Sequence, residues 1–161
     1  DQPNAYVLER ASKLDISTSV FSPKEFQTKK AYEEKILECL LDKEVDLIVL
    51  AGYMRIIGST LLDQYESRII NIHPSLLPDF PGLHGIRDAF EAGVKKTGVT
   101  IHYIDKGVDT GPIICQESVE IKKGDTLEEL ERRIHQVEHR IYPKVIEQVV
   151  KEMKTMEADI K

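Results

Sequence analysis

Asn71 and His73 stand two residues apart at the end of an apolar run, Ile69-Ile70, and Pro74 and Pro78 follow at once. Strand side chains alternate between faces with period two, so this amide and this imidazole point the same way. The prolines stop the strand and stiffen the turn behind it. Two polar groups are thereby aimed together at the carboxyl edge of a sheet, where open α/β folds bind their ligands. An isolated Asn-x-His would more often only satisfy backbone groups at a strand end. The proline-rich turn and a second constellation favour a functional reading.

That second constellation runs Asp105-Lys106-Gly107-Val108-Asp109-Thr110-Gly111-Pro112. Its glycines permit unusual backbone angles, and Pro112 restarts the chain in an extended form. Read alone, it is as easily an ordinary Asp/Gly turn. Placed beside His73, Asp109 would favour the imidazolium and fix the orientation of the ring. Met54-Arg55-Ile56-Ile57 follows the strand end Ala51-Gly52. It could wall a ligand slot and offer backbone groups to a heterocycle; the plain alternative is a strand-to-helix loop.

Other polar residues have plainer explanations. His135-Gln136-Val137-Glu138-His139 has the H-x-x-E-H spacing with which two helical histidines share a metal. A catalytic zinc also needs a third protein ligand and an open position. Nothing downstream recommends itself, so no metal is expected here, only a polar helix face with Glu138 near a substrate. His84 and His102 read as incidental surface or strand positions. Cys39 and Cys115 read as buried free thiols, a usage that fits a reducing cytoplasm. No serine or cysteine has an adjacent base that marks it as a nucleophile.

Hydrophobic periodicity gives the elements that must position these groups. Helices are expected over Asn4 to Leu14, Ala31 to Glu44, Ser59 to Tyr65, Gly85 to Ala92 and Thr126 to Lys151, the last bent or broken at Pro143. The second should be amphipathic, with Ile36, Leu37, Leu40 and Leu41 on one face. Strands are expected at Ser19 to Phe21, Leu47 to Ala51, Arg68 to His73, Val99 to Ile104 and Ile113 to Ile121. Leu47 to Ala51 is continuously apolar, as for a strand covered on both faces. Alternation of helix and strand implies an α/β fold with a doubly wound, mostly parallel sheet. Such a sheet normally opens with a strand and a Gly-rich phosphate turn. This chain opens on a helix without an initiator Met, so the leading strand and phosphate loop are expected to belong to a longer gene product.

The 161 residues suit one domain with a full core. With 22 basic against 28 acidic residues the net charge is -6, and no dense basic run occurs, which argues against a nucleic-acid partner. No apolar run approaches the roughly 20 residues that span a bilayer, and no signal peptide is visible. A cytoplasmic protein without membrane contacts is expected.

The motifs from Leu50-Ala51-Gly52-Tyr53-Met54-Arg55-Ile56, through Asn71-Ile72-His73-Pro74-Ser75-Leu76-Leu77-Pro78 and Pro81-Gly82-Leu83-His84, to Asp109-Thr110-Gly111-Pro112 and Glu138-His139-Arg140-Ile141-Tyr142-Pro143 resemble the phosphoribosylglycinamide formyltransferase family. The resemblance runs from Asp1 to about Val150, although the Asn-x-His-Pro core is common to the wider folate-dependent formyltransferase superfamily. It implies a Rossmann-like formyltransferase domain over residues 1–150 and a tail over 151–161. It implies transfer of a formyl group from 10-formyltetrahydrofolate to the amine of glycinamide ribonucleotide, in de novo purine synthesis. Asn71, His73 and Asp109 would be the catalytic trio. Met54, Arg55, Ile56, Ile57, Asn71, Asp105 and Asp109 would hold the folate, with Lys29 near its glutamate tail. His135 and Glu138 would lie by the glycinamide ribonucleotide.

Three rivals have their own discriminators. A methionyl-tRNA formyltransferase would need an added tRNA-binding domain, and the acidic balance disfavours tRNA. A formyltetrahydrofolate hydrolase would carry a second His where this chain has Pro74, plus a regulatory domain. A non-catalytic α/β module for a small anion is compatible with the fold alone.

Overall fold

Alternation along two central strands sorts the molecule's side chains into an apolar face and a polar one. The computed structural model describes residues 1–159. In chain order the elements are α1 (Tyr6–Lys13), a 3-10 turn (Pro23–Glu25), α2 (Lys29–Asp42), β1 (Ile48–Leu50), α3 (Ser59–Leu62), β2 (Ile69–His73), α4 (Gly85–Glu91), β3 (Lys96–Tyr103), β4 (Ile113–Glu120) and α5 (Leu127–Asp159). They fall into two compact units. One holds Asp1–Val45 and Gly58–Gln64; the other holds Asp46–Ile57 and the chain from Tyr65 on.

In the first unit, Thr28 caps α2 by accepting a hydrogen bond from the Ala31 N–H at 3.1 Å. Glu33 is only 2% exposed, and its carboxylate accepts the Gly58 N–H at 2.7 Å. Gly58 is the residue before α3, so this bond ties α2 to the start of α3. A Cβ at Gly58 would collide with that carboxylate. Tyr32, Leu61 and Leu62 are buried here, and the rings of Phe26 and Tyr32 meet edge to face. Leu41 of the expected apolar stripe is exposed, and α1 has no buried residue. Ser19 to Phe21 forms no strand; Val20 is exposed and has no ladder partner among the described residues.

The second unit is built on a four-stranded sheet in the order β1-β2-β3-β4. The β1/β2 pairing is parallel, while β2/β3 and β3/β4 are antiparallel. The α/β architecture is the expected one, but the described sheet is mixed rather than mostly parallel. Eight-residue strands β3 and β4 are joined by a short loop, and such a connection makes an antiparallel pair.

Ile70 and Ile72 of β2 and Val99, Ile101 and Tyr103 of β3 pack against Leu130, Ile134, Ile141, Tyr142, Val145 and Val149 of α5. The alternate positions, Asn71, His73, Thr100 and His102, turn to the opposite face. Helix α5 runs unbroken through Pro143. Of the expected bend or break, no break occurs, because core residues on both sides of the proline hold the two halves on one sheet face, offsetting the lost hydrogen bond. The Tyr142 hydroxyl donates to the Leu50 carbonyl at 2.7 Å and reaches the Ile70 carbonyl at 3.3 Å, linking α5 to β1 and β2. Burial pushes its pKa above the usual tyrosine value.

Helix α5 also continues past Lys151 to Asp159, through the expected domain limit at 150; the last two residues of the expected tail lie outside the described residues. Val49 of β1 is exposed, so β1 is not covered on both faces. Both cysteines are half-buried rather than buried. Among the described residues no helix is long and apolar enough to cross a membrane.

Candidate active site

Strand β2 delivers Asn71 and His73 to its carboxyl end, and a network of buried polar groups shapes the turn that follows. Thr100 lies opposite His73 in the β2/β3 register. Its hydroxyl donates to the Ser75 carbonyl at 2.7 Å and accepts from the Leu77 N–H at 3.0 Å. The Gln116 amide donates to that hydroxyl and to the Leu77 carbonyl, both at 2.9 Å. Ser75 donates to the Asp79 carbonyl at 2.5 Å. Leu76 also presses onto Gly98, where a Cβ would collide with it and with the Glu117 carbonyl. Phe80 (φ +53°) and Gly82 (φ +91°) then take left-handed backbone angles.

This turn brings the Phe80 carbonyl to 2.8 Å from His73 Nε2. A carbonyl only accepts, so Nε2 carries the proton and donates. The Nδ1 atom is left facing Asp109, 3.5 Å from Oδ2. His73 is 4% exposed, and its pair with Asp109 is therefore shielded from solvent.

Asp109 sits in the β3–β4 loop at φ +54°, a conformation that Asp tolerates better than most side chains. The loop is held from within: Asp105 Oδ1 accepts the Gly107 N–H at 2.9 Å and the Thr110 hydroxyl at 2.7 Å. Gly111 lies against the Tyr103 carbonyl, where any Cβ would clash. Asp109 Oδ2 also accepts the Gly82 N–H at 2.8 Å, joining the two loops of the site.

His102 is the residue that sequence reasoning passed over. It is fully buried and stands opposite Asn71 in the antiparallel register. Its Nε2 is 3.4 Å from Asn71 Nδ2 and 3.6 Å from Asp109 Oδ1, and its Nδ1 donates to the Tyr103 carbonyl at 2.9 Å. Burial holds its pKa below the usual histidine value, and nearby His73 adds to this; the Tyr103 carbonyl and the charges of Asp109 and Asp105 oppose it. The sequence did hold a signal: Thr100 and His102 alternate with Val99, Ile101 and Tyr103, marking a polar face on an otherwise apolar strand.

The remaining candidates are placed as follows. Met54 and Ile56 project exposed apolar side chains from the loop after β1, while Ile57 is buried. Arg55 lies in the same loop. Asp105 braces the β3–β4 loop. His135 is exposed on α5 and its Nδ1 is 2.7 Å from Glu138 Oε2. His139 is exposed on the same helix, and His84 stands at the start of α4 without capping it. Lys29 opens α2 in the other compact unit, 3.7 Å from Glu33. Among the described residues no three His, Cys, Asp or Glu side chains are grouped to hold a metal ion.

An amide donor, an imidazole and a carboxylate thus converge where a strand ends. This arrangement can hydrogen-bond an oxygen that gains negative charge and manage a proton beside it. The chain belongs to the formyl transferase family, whose sequence model, described as Formyl transferase, matches residues 1–146. Its relatives narrow the class. Phosphoribosylglycinamide formyltransferase of Bacillus subtilis (strain 168) is 55% identical over 150 residues, which are 93% of this chain and 77% of that protein. The crystal structure of phosphoribosylglycinamide formyltransferase from Streptococcus pneumoniae TIGR4 superposes with a TM-score of 0.91 at 51% identity, over 93% of this chain and 83% of that one. The trifunctional purine biosynthetic protein adenosine-3 of Drosophila melanogaster is 41% identical over 150 residues, and the chain spans 11% of its length. The mixed sheet with its helices is the Rossmann-like fold of these formyltransferases.

Proposed function

We propose that this enzyme transfers a formyl group from 10-formyltetrahydrofolate to the amine of glycinamide ribonucleotide, a step of purine biosynthesis. The observation that carries the reading is the convergence of Asn71, His73 and Asp109 on one strand end, with one nitrogen of His73 already committed to the Phe80 carbonyl.

The chemistry follows from that geometry. The substrate amine attacks the formyl carbon, which becomes tetrahedral while its oxygen gains negative charge. An N–H of Asn71 and the protonated Nδ1 of His73 donate to that oxygen as the charge develops. Asp109, held by the Gly82 N–H, faces Nδ1 at 3.5 Å and fixes the orientation of the ring. Through a water it also assists the proton leaving the attacking nitrogen. The bond from the formyl carbon to the folate nitrogen N10 breaks, and N10 takes the proton. The products are the formylated amide and tetrahydrofolate. The mechanism needs neither a metal nor a covalent enzyme intermediate.

Met54, Arg55, Ile56, Ile57 and the Asp105–Asp109 loop serve the pterin, and the exposed apolar side chains of Met54 and Ile56 support this. Lys29 serves the glutamate tail; His135 and Glu138 serve the ribonucleotide. The formyltransferase domain takes in residues 1–150, with the end of α5 running on beyond it; the protein works in the cytoplasm, and neither nucleic acid nor a membrane is a partner.

The test is an absorbance assay for loss of the formyl group from a folate analogue, with and without glycinamide ribonucleotide. Loss that requires the nucleotide supports transfer. Loss without it supports a hydrolase, and no loss in either case supports a binding module.

A further inference from the structure

We propose that His102 is a positioning residue for formyl transfer, which sets the direction of the Asn71 amide through a one-way chain of hydrogen bonds. The inference rests on the transfer reading above. The Tyr103 carbonyl can only accept, so the His102 nitrogen 2.9 Å away, Nδ1, must carry a proton. In neutral imidazole the other nitrogen is then bare and can only accept. Nε2 is the atom 3.4 Å from the Asn71 side-chain amide. A bare acceptor selects the NH2 end of that amide over its oxygen. One N–H of Asn71 is thereby committed to His102, which leaves its second N–H and its Oδ1 to the reacting groups.

The fold makes this chain rigid. Asn71 and His102 are cross-strand partners in an antiparallel ladder, so their separation is fixed by backbone hydrogen bonds rather than by loops. His102 is fully buried, and its ring has no solvent to turn towards. The contact to the adjacent Tyr103 carbonyl supplies the orientation, in the way that a histidine's second nitrogen commonly fixes its tautomer.

Neutrality of His102 is part of the device. The titratable groups facing it are Asp109 and Asp105 from the β3–β4 loop and His73 from β2. Protonation at Nε2 would set two donors face to face at Asn71. It would also give Asp109 Oδ1, now 3.6 Å away, a cation that competes with His73 for the same carboxylate. Acid would therefore disturb both halves of the site. Burial resists that proton, and the two aspartates favour it.

The experiment has two arms in the full-length protein. The first labels the histidines with nitrogen-15 and reads the His102 tautomer near neutral pH. The expected result is a protonated Nδ1 and a bare Nε2; a protonated Nε2 overturns the proposal whatever the enzyme's activity. The second compares kcat and KM for His102→Leu, which removes the acceptor, and His102→Gln, which restores one near the place of Nε2. His102→Leu should lower kcat by about tenfold or more, with both KM values little changed, because a small misplacement of a reacting group is enough to cost that much. His102→Gln should recover most of the loss and should alter the acid side of the kcat profile. Unchanged kcat in His102→Leu, or equal losses in both variants, overturns the proposal. A wild-type protein that forms no formylated nucleotide would instead contradict the transfer reading, and the tautomer arm would still decide the positioning claim.

Discussion

His73 Nε2 lies 2.8 Å from the carbonyl of Phe80, seven residues further along the chain. The turn after β2 therefore does more than end a strand: it assigns the proton of one imidazole nitrogen and leaves Nδ1 facing Asp109. Asn71, His73 and Asp109 differ in what holds them. Asn71 is set by the ladder, His73 by the turn that follows it, and Asp109 by a loop that Asp105 braces.

Asp109→Asn removes the negative charge beside Nδ1 with little change of shape. Turnover should fall by about 10²-fold or more, within the usual range for general acid–base and orienting groups. The Gly82 N–H can still bond the remaining side-chain oxygen, so the thermal midpoint should move little. Steady-state kinetics and a melting curve on the same sample check both parts.

Thr100→Val keeps the shape of the side chain and removes its hydroxyl. The Ser75 carbonyl, the Leu77 N–H and the Gln116 amide each lose a bond to that hydroxyl, although Gln116 keeps the Leu77 carbonyl. Each buried polar group left unpaired costs about 1–3 kcal/mol. Denaturant unfolding should show a loss of at least about 1 kcal/mol, and kcat should fall because the turn that carries Phe80 loosens. A variant as stable as the wild type would contradict the bracing role of Thr100.

Most of this site was legible in the sequence. Asn71 and His73 were readable because strand alternation is a strictly local rule and prolines mark where the strand stops. Asp109 was readable as a carboxylate in a Gly-bounded turn, but its contact with His73 required the resemblance. The alternation around His102 was legible as a polar face, but its partner was not, because a mostly parallel sheet gives it none in particular. Only the antiparallel β2/β3 pairing puts it opposite Asn71. The continuity of α5 through Pro143 was hidden for a similar reason. The local penalty is visible in the sequence, while the core contacts that offset it are made with distant strands. Ser19 to Phe21 shows the converse, β-forming residues without a ladder to join.

The buried His102 also ties stability to pH. Its folded-state pKa is lower than its ordinary value of 6.5, so the unfolded chain binds this proton more readily than the folded one. Stability contributed by this site is then complete above about pH 6.5 and declines as pH falls through 6.5 towards the folded value. Urea unfolding between pH 5 and 7.5 should show that decline, and His102→Gln should show less of it. An equal slope in both proteins would assign the effect to other groups.

The most direct test of the account measures the formyl group at both ends of its journey. Wild type, Asn71→Ala and His73→Ala, each verified as folded by circular dichroism, are given 10-formyltetrahydrofolate and glycinamide ribonucleotide. Loss from the folate and gain by the nucleotide amine are followed by mass spectrometry. Matched loss and gain are expected in the wild type, no loss without the nucleotide, and turnover lower by about 10²-fold or more in each variant. Near-normal turnover in either folded variant, or formyl loss that ignores the nucleotide, would contradict the transfer reading.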